Sequence, residues 1–204
     1  MRPKLKVNDI RNLHDARYCS AVGISLLSYR LESDHQNFIS SKEVKEISGW
    51  LSGPVAILTF GYEAPEDINA LGEEIQPGFV SVPWDYPIDL LRLIDFDIIL
   101  VSSKAESATA IKSKIEETSE LSNIYYEFQI PEESHEMWSY LKEHGLVGRI
   151  YFQVTDPDKA WKLLEKNGDF PAGFSLGEYF NDGPDLDYDK CDNFVERYNE
   201  LLPA

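Results

Sequence analysis

Cysteine occurs only twice in these 204 residues, as Cys19 and Cys191, too few and too far apart for a metal-binding set or a disulfide framework. Both fall on apolar helical stripes and read as buried free thiols, with one disulfide as the alternative. A cytoplasmic setting fits that usage. His14, His35, His135 and His144 stand alone, without ligand spacing such as His-x-x-x-His, so no metal is expected from them. Positive charge is short as well: 19 Lys and Arg face 36 Asp and Glu, a formal net charge of -17. That field repels a phosphate backbone, so nucleic-acid binding is not expected. No stretch approaches the roughly 18 apolar residues of a membrane span. Met1-Arg2-Pro3-Lys4 has no apolar segment behind it, so it does not read as a secretory signal. There is no low-complexity segment and no linker.

What is present is a regular alternation of strand-like and helix-like segments. Leu5 to Ile10 reads as a strand, Asn12 as an N-cap, and Leu13, Ala16 and Cys19 as the stripe of a first helix. Ile24–Tyr29 follows, then Ser40 with Glu43 at capping-box spacing and Val44, Ile47 and Leu51 on one face. Val55–Phe60 precedes a helix opened by Pro65, and Phe79–Val82 precedes a short one from Pro87 through Leu91 and Ile94. Phe96–Val101 is a continuous apolar run, as a parallel strand buried on both faces requires. Ile124–Phe128, Arg149–Val154 and Gly173–Leu176 complete the strands, each with a helix behind it. The last helix, bearing Cys191, Phe194, Val195 and Tyr198, is preceded by an acidic stretch, Asp182 to Asp189, that reads as a solvated loop.

Eight units of about 25 residues are close to the minimum length of a right-handed crossover. They predict a single α/β domain spanning residues 1–204, a (β/α)8 TIM barrel. An open doubly wound sheet would have fewer strands and a glycine-rich first loop, and neither is seen.

Several segments carry a resemblance to one family. Lys6-Val7-Asn8-Asp9-Ile10-Arg11-Asn12 follows a first unit of the type K-I-C-G-I-T-N. Asn37-Phe38-Ile39-Ser40 is similar to R-Y-I-S, and Ala64-Pro65-Glu66-Asp67-Ile68 to a helix start of the type E-x-P-E-x-I. Pro184 to Phe194 is similar to P-G-x-K-D-x-x-K-I-x-x-F. Together these resemble the phosphoribosylanthranilate isomerases of tryptophan biosynthesis. The resemblance implies a cofactor-free Amadori isomerisation at the C-terminal mouth of the barrel. That reaction needs a general base, a general acid, a cation for the substrate carboxylate and a phosphate cradle.

At those positions the sequence departs from the pattern. The base, a cysteine in the family, is replaced by Asn8, whose amide cannot exchange a proton near neutral pH. Losing a general base costs about 10²–10⁴-fold. Asp9 could act instead if its carboxylate turned inward; the alternative is that it bonds a neighbouring loop. The acid aligns with Glu127, which reads either as a working carboxyl group or as one paired with Arg149 or Lys104. Asn37 replaces the carboxylate-binding arginine, and Arg30 either compensates or is solvated. Trp84 either stacks on a planar ligand or packs on a helix. Gln153-Val154 replaces one glycine pair of the phosphate cradle, and Gly177-Glu178-Tyr179 the second. Each charge-assisted hydrogen bond lost there costs about 1.5–3 kcal/mol. Asp9, Glu127 and Glu178 together could attract a hard cation, although with 36 acidic residues a coincidence of this kind is expected.

The sequence therefore predicts a diverged barrel that takes a non-phosphorylated small molecule at its mouth or is catalytically silent. The alternatives are an active isomerase using Asp9 as base and Glu127 as acid, and an acidic interaction protein.

Overall fold

In the computed structural model, residues 2–131, 134–166, 170–182 and 185–202 are described. Eight parallel strands close into a barrel in sequence order: β1 (Lys4–Val7), β2 (Leu26–Arg30), β3 (Val55–Thr59), β4 (Phe79–Pro83), β5 (Ile98–Val101), β6 (Ile124–Gln129), β7 (Ile150–Gln153) and β8 (Gly173–Leu176). The ring closes where β1 pairs with β8, Lys6 opposite Ser175 and Val7 opposite Leu176. The intervening helices are α1 (Leu13–Ala21), α2 (Ser41–Gly49), α3 (Pro65–Ile75), α4 (Ile88–Leu91), α5 (Ala108–Glu117), α6 (Ser134–Glu143), α7 (Pro157–Lys166) and α8 (Tyr188–Leu201). The (β/α)8 barrel expected from the alternation is the fold observed.

Local signals set the helix starts. The Asn12 side chain accepts from the Asp15 amide at 2.8 Å. Ser40 and Glu43 form the reciprocal capping box, at 3.0 and 3.3 Å. Some bounds differ from expectation: β2 starts at Leu26, not Ile24, and β5 at Ile98, not Phe96. Three further differences concern local structure. β1 ends at Val7, not Ile10, because Asp9 adopts a left-handed conformation (φ 57), which turns the chain out of the ladder. α4 stops at Leu91, and only i→i−3 turns continue to Ile94. The acidic stretch before α8 is not a plain loop: β9 (Asn181–Asp182) pairs with β10 (Asp185–Leu186), and Asp187 caps α8 by accepting from the Lys190 amide at 3.1 Å.

The core has two parts. A large apolar layer fills the space between sheet and helices and includes both cysteines, which are free and fully buried in α1 and α8. A small cluster of Leu26, Ile57, Phe79, Ile99 and Tyr151 plugs the N-terminal end of the barrel interior. Among the described residues, no helix is long and apolar enough to cross a membrane.

Candidate active site

Side chains alternate across a strand, so residues two apart share a face. Starting from the plug, that rule carries the inward face up to Ser28 on β2, Thr59 on β3, Ser81 on β4, Glu127 on β6 and Ser175 on β8. Lys6 on β1 joins them by reaching Glu127. All six are buried. Barrel interiors are usually filled with branched apolar side chains at this level. Here the layer is polar. Ser28 Oγ lies 2.6 Å from Thr59 Oγ1, which lies 2.8 Å from Ser81 Oγ, a hydroxyl chain across three strands.

Opposite that chain, Lys6 Nζ donates to Glu127 Oε2 at 2.5 Å. β1 and β6 are not neighbours in the ring, so the lysine crosses the interior to reach its partner. The cation paired with Glu127 is therefore Lys6, not Arg149 or Lys104. The second carboxylate oxygen, Oε1, is buried without a hydrogen-bond partner. Burial above all, and then the charges of Tyr125 and Glu127, push the Tyr151 hydroxyl well above its ordinary range.

One layer nearer the mouth, Asn8 Nδ2 donates to Ser175 Oγ at 2.9 Å, and Asn8 Oδ1 has no partner. A side chain at Gly177 would come within 3.5 Å of that amide nitrogen. Asp9 is tied to the second βα loop: Arg30 Nε donates to its Oδ1 at 2.8 Å and Asn37 Nδ2 to its Oδ2 at 3.1 Å. Arg30 also lies 3.5 Å from Glu32. The three residues singled out as substitute base, substitute clamp and lost clamp thus form one closed cluster.

The remaining predicted positions are scattered. Gln153 Nε2 donates to the Ser102 carbonyl at 2.8 Å, bracing β7 against the end of β5. The Val154 amide is used in pairing to the Ser175 carbonyl at 2.9 Å, and its side chain is buried. Trp84 meets Tyr126 and Phe128 edge-on, with centroids 6.2 and 6.1 Å apart. Those rings alternate with Glu127, so Trp84 sits between sheet and helices, not over the barrel axis. Of Glu178 only the backbone is described, opening a short 3₁₀ turn to Phe180. Pro184, at the start of the last resembling segment, lies outside the described residues. Among the described residues, no group of three His, Cys, Asp or Glu side chains is arranged to hold a metal ion.

Sequence reasoning missed Lys6 as a site residue, together with the Ser28–Thr59–Ser81 chain. A signal was there: in Leu26-x-Ser28, Ile57-x-Thr59 and Phe79-x-Ser81 the hydroxyl follows an apolar residue in the same pleat phase. The partner of Lys6 could not be read this way, since it depends on which strands face each other across the ring.

No family model and no curated protein sequence matches the chain. Solved structures do resemble it. A phosphoribosylanthranilate isomerase in complex with reduced 1-(o-carboxyphenylamino)-1-deoxyribulose 5-phosphate has a TM-score of 0.75 at 17% identity, over 97% of this chain and 99% of that one. The TrpF protein of Jonesia denitrificans gives 0.73 at 13% identity, over 99% and 100%. A phospho-2-dehydro-3-deoxyheptonate aldolase from Thermotoga maritima gives 0.70 at 12% identity, over 98% of this chain and 69% of that one. At such identities the likeness establishes the fold.

Proposed function

We propose that this protein is a diverged relative of the phosphoribosylanthranilate isomerases that holds a small molecule lacking phosphate at the C-terminal mouth of its barrel and has lost the standard isomerisation. The observation that carries the reading is the Asp9–Arg30–Asn37 cluster. Asp9 is the carboxylate offered in place of the family's cysteine, and Arg30 is the cation offered in place of its arginine. Each satisfies the other, so a substrate would find neither a free base nor a free clamp. Breaking such a charge-assisted pair to serve a ligand forfeits about 1.5–3 kcal/mol.

The charge balance supports the absence of a phosphate site. On the βα loops and inside the barrel, among the described residues, Lys6, Arg11, Arg30 and Lys104 each have a carboxylate near them: Glu127 at 2.5 Å, Asp185 at 3.6 Å, Asp9 at 2.8 Å and Glu106 at 4.0 Å respectively. Lys190, in the first turn of α8, has Asp187 at 3.1 Å, and Lys159, in the first turn of α7, adds one positive charge. Asp34, Glu63, Asp85 and Asp156 add further negative charge on the same loops. A dianion would enter against that field.

The test is direct. Purified protein mixed with freshly made phosphoribosylanthranilate should leave its fluorescence unchanged, and millimolar phosphate should not raise the melting temperature. Turnover that disappears in Asp9→Asn or Glu127→Gln would replace this reading with that of a working isomerase.

A further inference from the structure

Where α7, α8 and the 3₁₀ turn after β8 meet, on the outside of the sheet, a groove of about 180 Å³ opens. Its lining is unusual for this chain. The sequence carries 36 acidic residues against 19 basic ones, yet among the described residues the lining holds two cations, Lys190 and Arg197, and no carboxylate. Lys190, Asn193 and Arg197 stand at i, i+3 and i+7, so one face of α8 presents all three. The rest of the lining is largely aromatic. Trp161 of α7 lies against Phe194, with centroids 4.3 Å apart and planes tilted by 32°. Tyr179, 42% exposed, meets buried Phe180 edge-on at 5.0 Å, and Lys190 Nζ lies 5.3 Å from its ring centre. Ring faces and N–H donors therefore share one accessible space.

We infer that this groove binds a small aromatic carboxylate, its ring against Trp161 and Tyr179 and its carboxylate on Arg197 and Asn193. A guanidinium takes a carboxylate through two parallel N–H bonds, and a side-chain amide adds a further donor. Lys190 contributes its charge. Both cations have carboxylates nearby: Glu200 at 2.9 Å and Glu165 at 3.9 Å from Arg197, and Asp187 at 3.1 Å from Lys190. The partners of Arg197 are exchangeable, because all three side chains are roughly half exposed or more and exposed ion pairs are weak. Arg30 at the mouth differs, since it and Asp9 are mostly buried and Asn37 completes their cluster. Size fits as well: an apolar cavity of about 150 Å³ takes benzene, and this groove is slightly larger. The groove is separate from the mouth, and the inference does not rest on the reading proposed for it.

Three probes of one size separate charge from ring: benzoate, benzamide and cyclohexanecarboxylate. Calorimetric titration of the full chain at neutral pH and low ionic strength, where exposed charges are least screened, should show saturable binding of benzoate in the millimolar range or tighter. Benzamide should bind about tenfold more weakly or worse, the ratio expected when hydrogen bonds between charged groups are lost. Cyclohexanecarboxylate should bind about threefold more weakly or worse, for want of a ring face to stack. Arg197→Gln should weaken benzoate binding about tenfold and affect benzamide far less. Glu200→Gln should tighten benzoate binding, since it removes the carboxylate that competes for Arg197. Both positions are exposed, so the variants keep the fold. No saturable binding of benzoate, benzamide binding as well as benzoate, or benzoate binding indifferent to both substitutions would overturn the inference.

Discussion

A lysine and a glutamate that meet inside a barrel, away from water, stand or fall together. Lys6 and Glu127 are both buried, and each would be an uncompensated charge without the other. Removing one partner of such a pair typically costs about 3–5 kcal/mol, whereas replacing both with apolar groups is often neutral or stabilising. Lys6→Met should therefore lower the stability measured by urea titration by about 3 kcal/mol or more. Lys6→Met combined with Glu127→Leu should recover most of the loss. If the double variant is no better than the single one, the ion pair is not the source of the effect. The two residues lie 121 positions apart in the chain, which is why the pair was invisible in the sequence. Glu127 was readable as a carboxylate at a strand end, but its partner was not, because Arg149 and Lys104 were nearer in order and Lys6 is nearer in space.

At the scale of single elements the sequence was more generous, since a cap is a local event. Asn12 and Ser40 each satisfy a backbone N–H of the turn they precede, and the Ser40 backbone N–H donates in return to the Glu43 carboxylate. Ser40→Ala should cost about 1 kcal/mol, within the 0.5–2 kcal/mol range of lost caps, and leave the mouth unchanged. Equilibrium unfolding reads it; a cost near zero would mean that packing by Val44 and Ile47 alone sets the start of α2. The same locality made the eight strands legible, because buried parallel strands are short apolar runs between turn residues. Where a single backbone angle decided the outcome, pattern failed. Asp9 in a left-handed conformation ended β1 three residues early and sent its carboxylate to Arg30 and Asn37. The short β9–β10 pair escaped for a related reason: two-residue strands of Asn, Asp and Leu carry no periodicity.

For the molecule as a whole, pH reads the burial of its weak acids. Burial pushes Tyr29 up to about 12 and Cys191 up to about 12, and raises Cys19, Tyr126 and Tyr198 as well. The fold favours the protonated form of each, so their contribution is complete below the unfolded values, about 8.5 for a thiol and about 10 for a phenol. It is lost as pH rises through the folded ones. The urea midpoint should hold between about pH 6 and 8 and fall steeply from about pH 9 upwards. A midpoint flat to pH 11 would contradict the burial of these groups. On the acid side, Asp187 is held low chiefly by the backbone N–H of Lys190, so its contribution is present above about pH 4 and lost below it.

The seam between β1 and β8 has a consequence for the order in which the molecule can be finished. Four residue pairs, Lys4 with Gly173 through Val7 with Leu176, join the first strand made to the last. Tyr188, near the start of α8, then bonds Asp15 of α1, and Tyr198 bonds the Pro3 carbonyl. Until the residues near 175 are in place, β1 and β7 lack their shared neighbour and Asn8 lacks Ser175, so both strands would present unpaired edges. The nascent sheet must stay apart from its neighbours until its closing stave arrives, a delay that an acidic, mutually repelling chain is suited to endure.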